Sequence, residues 1–195
     1  MIHFGNKKLI LSSNSPRRKE LLELADIVFS VECREADESF PLDMSVNNVA
    51  EFIAVQKSVP WKGKINQGEI ILTADSVVIL EEEIMGKPKD ANHAFEMLQK
   101  LSGKVHRVIT GCCILDSKNQ KSFSDITEVH FHHLSNAEIN YYIENYKPFD
   151  KAGAYGIQEW IGLNRVKEIR GSWSNVVGLP VHKVYSELIS FLESH

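Results

Sequence analysis

Cysteine is scarce in this chain, with three among 195 residues and two of them adjacent at Cys112 and Cys113. That number and spacing make neither a disulfide framework nor a zinc pattern. They read as buried free thiols of a reducing cytoplasm. Long apolar runs are also missing. No stretch approaches the roughly 20 residues that cross a bilayer, and the start "MIHFGNKKLILSS" is too short and polar for a signal peptide. A basic excess is lacking as well. The 22 Lys and Arg face 26 Asp and Glu, a net charge of −4. With no aromatic–basic array either, a nucleic-acid-binding module is disfavoured, and any positive patch must be local. Repeats and low-complexity segments are absent. What is there is an ordinary composition, 43% hydrophobic and 25% charged, in a chain long enough for one core or for two lobes around a cleft.

Strand-like and helix-like segments alternate. Leu9-Ile10-Leu11 reads as a buried strand. Ser15 as N-cap and Pro16 at the first helical position open a helix over 16–25 with Leu21, Leu22 and Leu24 as its apolar stripe. A short strand over 27–32 and the acidic loop "READESFP" follow. Residues 45–58 read as a helix with Val46, Val49, Phe52 and Ile53 on one face. The polar "WKGKINQG" is a loop, and "EIILTADSVVILEEEIMGKP" is a hairpin turning at its Glu run. A helix over 90–102 stops at Gly103. Strands over 104–115 and 121–133 flank the turn "DSKNQK". Helices over 135–145 and 181–193 enclose the Gly-rich "KAGAYGIQ". The order predicts an α/β fold with a mixed sheet and hairpin excursions rather than a pure βαβ series.

Several polar residues sit at the ends of these elements, where chemistry collects. The cluster "SSNSPRR" lies between a strand and a helix. Unpaired N–H groups at a helix start suit an anion, and Arg17 and Arg18 add forked donors. A capped surface helix with two solvated arginines fits the same letters. Asp75 closes the run Ile70–Ala74, where a carboxylate needs a charged partner; it reads as a metal ligand, a base or a turn residue. Lys57 stands in the last turn of its helix, where the dipole alone favours a cation. Lys87, between Gly86 and Pro88, has a constrained backbone that suits phosphate contact, although "GKP" is not a Walker loop. Asp37 and Glu38 fit a solvated acidic loop. Gly153 and Gly156 permit close approach or positive φ, and the Gln158 amide both donates and accepts, as reading a base edge requires. "GSWSNVVGLP" reads as another ligand wall, or as a loop with Trp173 plugging the core. His130, His132 and His133 lack a third metal ligand and read as structural or surface residues.

Taken together, "SSNSPRR", "ADESF", Lys57, "TADSVV", "GKP", "LSGKVHRVITG", "DKAGAYGIQ" and "GSWSNVVGLP" resemble, in order and over nearly the whole chain, the Maf family of nucleoside triphosphate pyrophosphatases. The resemblance implies a single Maf/ITPase-type domain over 1–195, with a long mixed sheet flanked by helices and two lobes around a central cleft. It implies a cytoplasmic homodimer, and hydrolysis of a nucleoside triphosphate to monophosphate and pyrophosphate with a divalent cation, Mg²⁺ or Mn²⁺. Position by position, Ser13, Arg17, Arg18, Lys57 and Lys87 fall on phosphate-site positions. Glu38 falls on the acidic loop position and Asp75 on the catalytic acidic one. Arg17 and Gln158 match the branch that prefers dTTP and UTP. Ser76 stands where that branch usually carries Thr, and Asn14 replaces a small residue.

A triphosphate carries about four negative charges near neutral pH. Two arginines, two lysines and a cation can balance them. A carboxylate among cations accepts protons poorly, so Asp75 is expected to hold the metal or its water, with Glu38 as second acidic partner. Gln158, fixed by Arg17 or Ser76, is expected to read the pyrimidine edge. Two other classes remain in view: a non-catalytic nucleotide-binding regulator of cell division, and a nucleotidyltransferase.

Overall fold

Pro16, Asp90 and Ser135 explain where three helices start. The structure, a computed structural model, describes residue 2 and residues 4–194. Pro16 opens helix α1 (Pro16–Leu24), where its missing N–H costs nothing. Asp90 caps α3 (Ala91–Leu101) by accepting from His93 N at 2.8 Å. Ser135 and Glu138 form a reciprocal capping box at the start of α4 (Asn136–Tyr146). The expected helix over 181–193 is α7 (Val181–Glu193), and α2 covers Val46–Ser58.

Among the described residues the sheet has seven strands: β1 (Lys8–Leu11), β2 (Ser30–Val31), β3 (Glu69–Leu80), β4 (Glu83–Met85), β5 (Val105–Leu115), β6 (Gln120–Phe131) and β7 (Val166–Arg170). Their order is β2-β1-β3-β5-β6-β7, with β4 paired to β3. β1 runs parallel to β2 and β3, while the β3–β4 hairpin and the β6–β7 pair are antiparallel, so the sheet is mixed as expected. β1 and the first half of β3 are apolar almost throughout, the pattern of strands covered on both faces.

The chain divides into two compact units. The first comprises residues 1–75, 110–125 and 178–195, and the second comprises 76–109 and 126–177. Strand β3 passes from one to the other between Asp75 and Ser76. In the first unit α2 buries Val49, Ala50, Ile53 and Ala54. In the second, α3 buries Ala94, Met97, Leu98 and Leu101, the four residues its periodicity selects.

Four local expectations are corrected. Leu24 is 78% exposed; at about 100° per residue it lies some 200° round the helix from buried Leu22. Ser15 holds the N-cap position without a side-chain capping bond, and its own N–H donates to Ser13 Oγ at 3.2 Å. The strand expected over 27–32 shrinks to Ser30–Val31, because Ile27 N is still bonded to Leu22 O at the helix end. Trp173 is 46% exposed and plugs no core. Residues 159–177, for which no element was expected, form α5 (Trp160–Arg165), β7 and α6 (Trp173–Val177).

Candidate active site

In the first unit the site is built where α2 packs on β3. Thr73 Oγ1 donates to Ala54 O at 2.6 Å, which pins the helix to the strand. Asp75 lies two residues further along the same face of β3, and Lys57 one helical turn beyond Ala54. Two strand residues advance about 6.7 Å and three helical residues about 4.5 Å. The lysine stem spans the remainder, and Lys57 Nζ donates to Asp75 Oδ1 at 2.7 Å. Gly111 permits this closeness from β5. A Cβ there would lie 2.2 Å from Glu51 N and 2.3 Å from Ala50 C, inside the helix backbone.

Lys57 Nζ also meets Glu38 Oε1 at 3.0 Å. The two carboxylates differ in freedom: the Asp75 side chain is 16% exposed and that of Glu38 is 62% exposed. The loop bearing Glu38 is tethered nearby. Arg34 stacks on buried Trp61 with its guanidinium carbon 3.7 Å from the ring centroid, and donates to Pro60 O at 3.2 Å. Asp37 accepts from Ser39 N at 2.8 Å, which holds its carboxyl below the usual range.

Arg18 underlies this cluster. It is buried. Its Nε donates to Gly178 O at 2.8 Å, and its Nη1 to Ala74 O at 2.7 Å and Ser13 Oγ at 3.2 Å. One guanidinium thus fixes the end of β1, the peptide before Asp75 and the approach to α7. Burial pulls its pKa below the ordinary arginine value, with the negative charges of Asp75 and Glu38 opposing that shift and Arg17 adding to it. Ser13, Arg18, Glu38, Lys57 and Asp75 therefore form one electrostatically connected group, with half-buried Arg17 beside it.

Ser76, Lys87 and Gln158 belong to the second unit. There Gly153 N donates to Gly86 O at 3.1 Å, tying the Gly-rich loop to the residue next to exposed Lys87. Gly153 has φ +70°, and a Cβ on it would meet Val78 Cγ1 at 3.0 Å. The loop therefore packs on the β3 face that Val78 shares with Ser76. Gln158 is exposed.

Other candidates resolve differently. His130 lies 3.7 Å from both Glu128 and Glu168, and among the described residues no three His, Cys, Asp or Glu side chains cluster as a metal cage. Cys112 and Cys113 are buried free thiols, pushed up to about 12 and about 11 by burial, whereas Cys33 is exposed, against expectation. No helix among the described residues is long and apolar enough to cross a membrane. The sequence reading missed the carbonyls of Ala74 and Gly178 as partners of Arg18. It also missed Tyr142, Lys151 and Glu159 around the Gly-rich loop; a tyrosine and two charged residues flanking two glycines were the available signal.

A family model described as Maf-like protein matches residues 8–191. The chain belongs to the Maf-like protein family. Named relatives agree. This Maf-like protein is 46% identical over 187 residues to a dTTP/UTP pyrophosphatase of Flavobacterium psychrophilum, covering 96% of each chain. It is 48% identical to one of Phocaeicola vulgatus and 45% to one of Bacteroides thetaiotaomicron, covering 93% of this chain and 94% of theirs in both cases. Among solved structures, the Staphylococcus aureus Ham1 protein aligns with a TM-score of 0.47 at 14% identity over 64% of this chain and 72% of its own. That likeness is too distant to bear on fold or chemistry.

Proposed function

We propose that this Maf-like protein is a nucleoside triphosphate pyrophosphatase that hydrolyses dTTP and UTP to the monophosphate and pyrophosphate. The observation that carries the reading is Lys57, an ammonium held jointly by Asp75 and Glu38 above buried Arg18, in a chain with close relatives that carry that activity as their name. The same names speak against a non-catalytic regulator of cell division. Nothing favours a nucleotidyltransferase.

The residues divide the work by their freedom. Ser13 Oγ already accepts from Ser15 N and Arg18 Nη1, which leaves its O–H to donate to a phosphate oxygen. Arg17 and Lys57 supply charge-assisted bonds to the polyphosphate. As phosphate binds, exposed Glu38 is the partner that yields Lys57, and the more buried Asp75 stays. Arg18, with its Nε and Nη1 donors engaged by protein groups, contributes positive field and holds Asp75 in place. Lys87, Ser76 and Gln158 keep the roles that the family resemblance gives them, Lys87 toward phosphate and Ser76 and Gln158 toward the base. Asp75 takes a hydrogen bond from the water that attacks the α-phosphorus and orients it for in-line displacement of pyrophosphate.

The donor set fits a hard divalent cation. Asp75 and Glu38 converge on one cationic position, and Mg²⁺ is commonly bound by one or two carboxylates together with substrate phosphates rather than by a full protein cage. Mg²⁺ or Mn²⁺ held by these two residues would supply charge neutralisation and a more acidic water. The reading includes a cytoplasmic homodimer, which sedimentation of the pure protein checks.

Turnover of dTTP, UTP, CTP, ATP and GTP with Mg²⁺ in ¹⁸O-water tests the reading. The expected result is pyrophosphate release fastest from dTTP and UTP, with the heavy oxygen in the monophosphate. Orthophosphate release, or label in pyrophosphate, contradicts it.

A further inference from the structure

The Gly-rich loop of the second unit ends in a turn whose two ends converge on one buried hydroxyl. Glu159 N donates to Gly156 O at 3.1 Å, closing a turn over residues 156–159. Gly156 N donates to Tyr142 Oη at 3.0 Å. Tyr142 Oη in turn donates to Glu159 Oε2, and Glu159 Oε1 meets Lys151 Nζ at 3.1 Å. Tyr142 is fully buried on α4 and Lys151 is buried. Burial and the neighbouring Glu159 carboxylate push the phenol far above its ordinary value, so it stays protonated as the donor. Gln158 is the exposed member of this turn, one residue from the carboxylate end and two from the amide end.

We propose that Tyr142 is a specificity-positioning residue: its hydroxyl clamps both ends of the 156–159 turn and thereby fixes where the Gln158 amide is presented to the nucleobase. The proposal rests on the reading of Gln158 as the base-reading residue and adds what holds it. A freely reorienting amide accepts uracil and cytosine edges alike, because it can exchange its donor and acceptor ends. Discrimination therefore needs an anchored backbone, and the turn has one. The clamp also explains why a tyrosine is needed at this point of the helix. A single hydroxyl accepts from the backbone amide and donates to the carboxylate, which neither Phe nor Lys can do.

Tyr142→Phe removes the hydroxyl and keeps the ring and its packing. The experiment measures kcat and KM for dTTP and CTP in wild type, Tyr142→Phe, Gln158→Ala and the double variant. The expected result is a dTTP:CTP ratio of kcat/KM lowered by about three- to tenfold in Tyr142→Phe, the worth of one hydrogen bond. The loss falls mainly in KM for dTTP, and adding Tyr142→Phe to Gln158→Ala lowers the ratio no further. A purely structural tyrosine would lower thermal stability and leave the ratio unchanged, which overturns the proposal. So does full additivity with Gln158→Ala. Where Tyr142→Phe does not fold, Glu159→Ala breaks the same clamp from its carboxylate end and is held to the same ratio. Wild-type protein that fails to hydrolyse dTTP overturns the proposed function instead, so the two failures are distinct.

Discussion

Each unit of this molecule sets a lysine against two carboxylates, and the two ion-pair groups differ in what surrounds them. Lys57 meets Asp75 at 2.7 Å and Glu38 at 3.0 Å. Lys151 meets Asp150 at 2.9 Å and Glu159 at 3.1 Å. Their side chains are 18% and 10% exposed. What differs is the next ring of partners. Behind Glu159 stands Tyr142, itself bound to Gly156 N, so the charges close into a ring. Around Lys57, Glu38 is mostly in solvent, and the charges of Arg17 and Arg18 stand nearby. A lysine between two acids reads as structural where one acid is tied into further bonds, as Glu159 is to Tyr142 although Asp150 is 58% exposed; the Lys57 group is the one we propose meets a ligand.

This comparison is breakable by paired substitutions. Lys151→Met leaves Glu159 short of its counter-charge beside a buried phenol and should destabilise the fold by about 3–5 kcal/mol, the usual cost of removing one partner of a buried pair. Chemical denaturation measures it. Lys57→Met should cost less, about 1–2 kcal/mol, because Arg18 remains as a positive charge coupled to the Asp75 carboxylate, while lowering kcat/KM for every nucleotide by about 10²–10³-fold. Reversal of that pattern, with Lys57 carrying the stability and Lys151 the turnover, contradicts the assignment.

A smaller effect tests the scaffold of the first unit alone. Gly111→Ala places a methyl inside the α2 backbone and should cost about 1–3 kcal/mol by overpacking. Because α2 carries Lys57, activity should fall with it. Unchanged stability would show that α2 does not sit so close to β5.

The effect that is smallest near neutral pH is a pH dependence in the second unit. His106 is buried, with Nε2 2.7 Å from Tyr155 Oη and edge-on to the Tyr155 and Phe131 rings. Burial depresses its pKa to about 3 from 6.5. The unfolded chain therefore binds a proton that the folded one refuses between those values. Stability is lost as pH falls below 6.5, by at most about 1.4 kcal/mol per unit. His106→Gln should flatten that limb of a stability–pH profile, and an unaltered slope would assign the acid sensitivity elsewhere.

Much of the architecture was legible in the sequence because it is written in short-range chemistry. The helices over 90–102 and 135–145, the α3 stripe and the β3–β4 hairpin each lie within a few residues of their cause. β7 was not legible, because "VKEIR" lies at the sheet edge and alternates only weakly. Polar residues at the ends of elements were visible for the same local reason, but their connections were not. Arg18 bonds to Gly178, 160 residues away, and no periodicity encodes that. The Tyr142 clamp was hidden because its parts lie on α4 and in the Gly-rich loop, joined only by folding.

The most direct test of the account is Asp75→Asn, which keeps the shape of the side chain beside Lys57 and removes its charge. Pyrophosphate release from dTTP with Mg²⁺ and nucleotide binding by calorimetry are measured on the same preparation. The account predicts turnover lowered by at least about 10³-fold with dTTP still bound. Hydrolysis near the parent rate would contradict it.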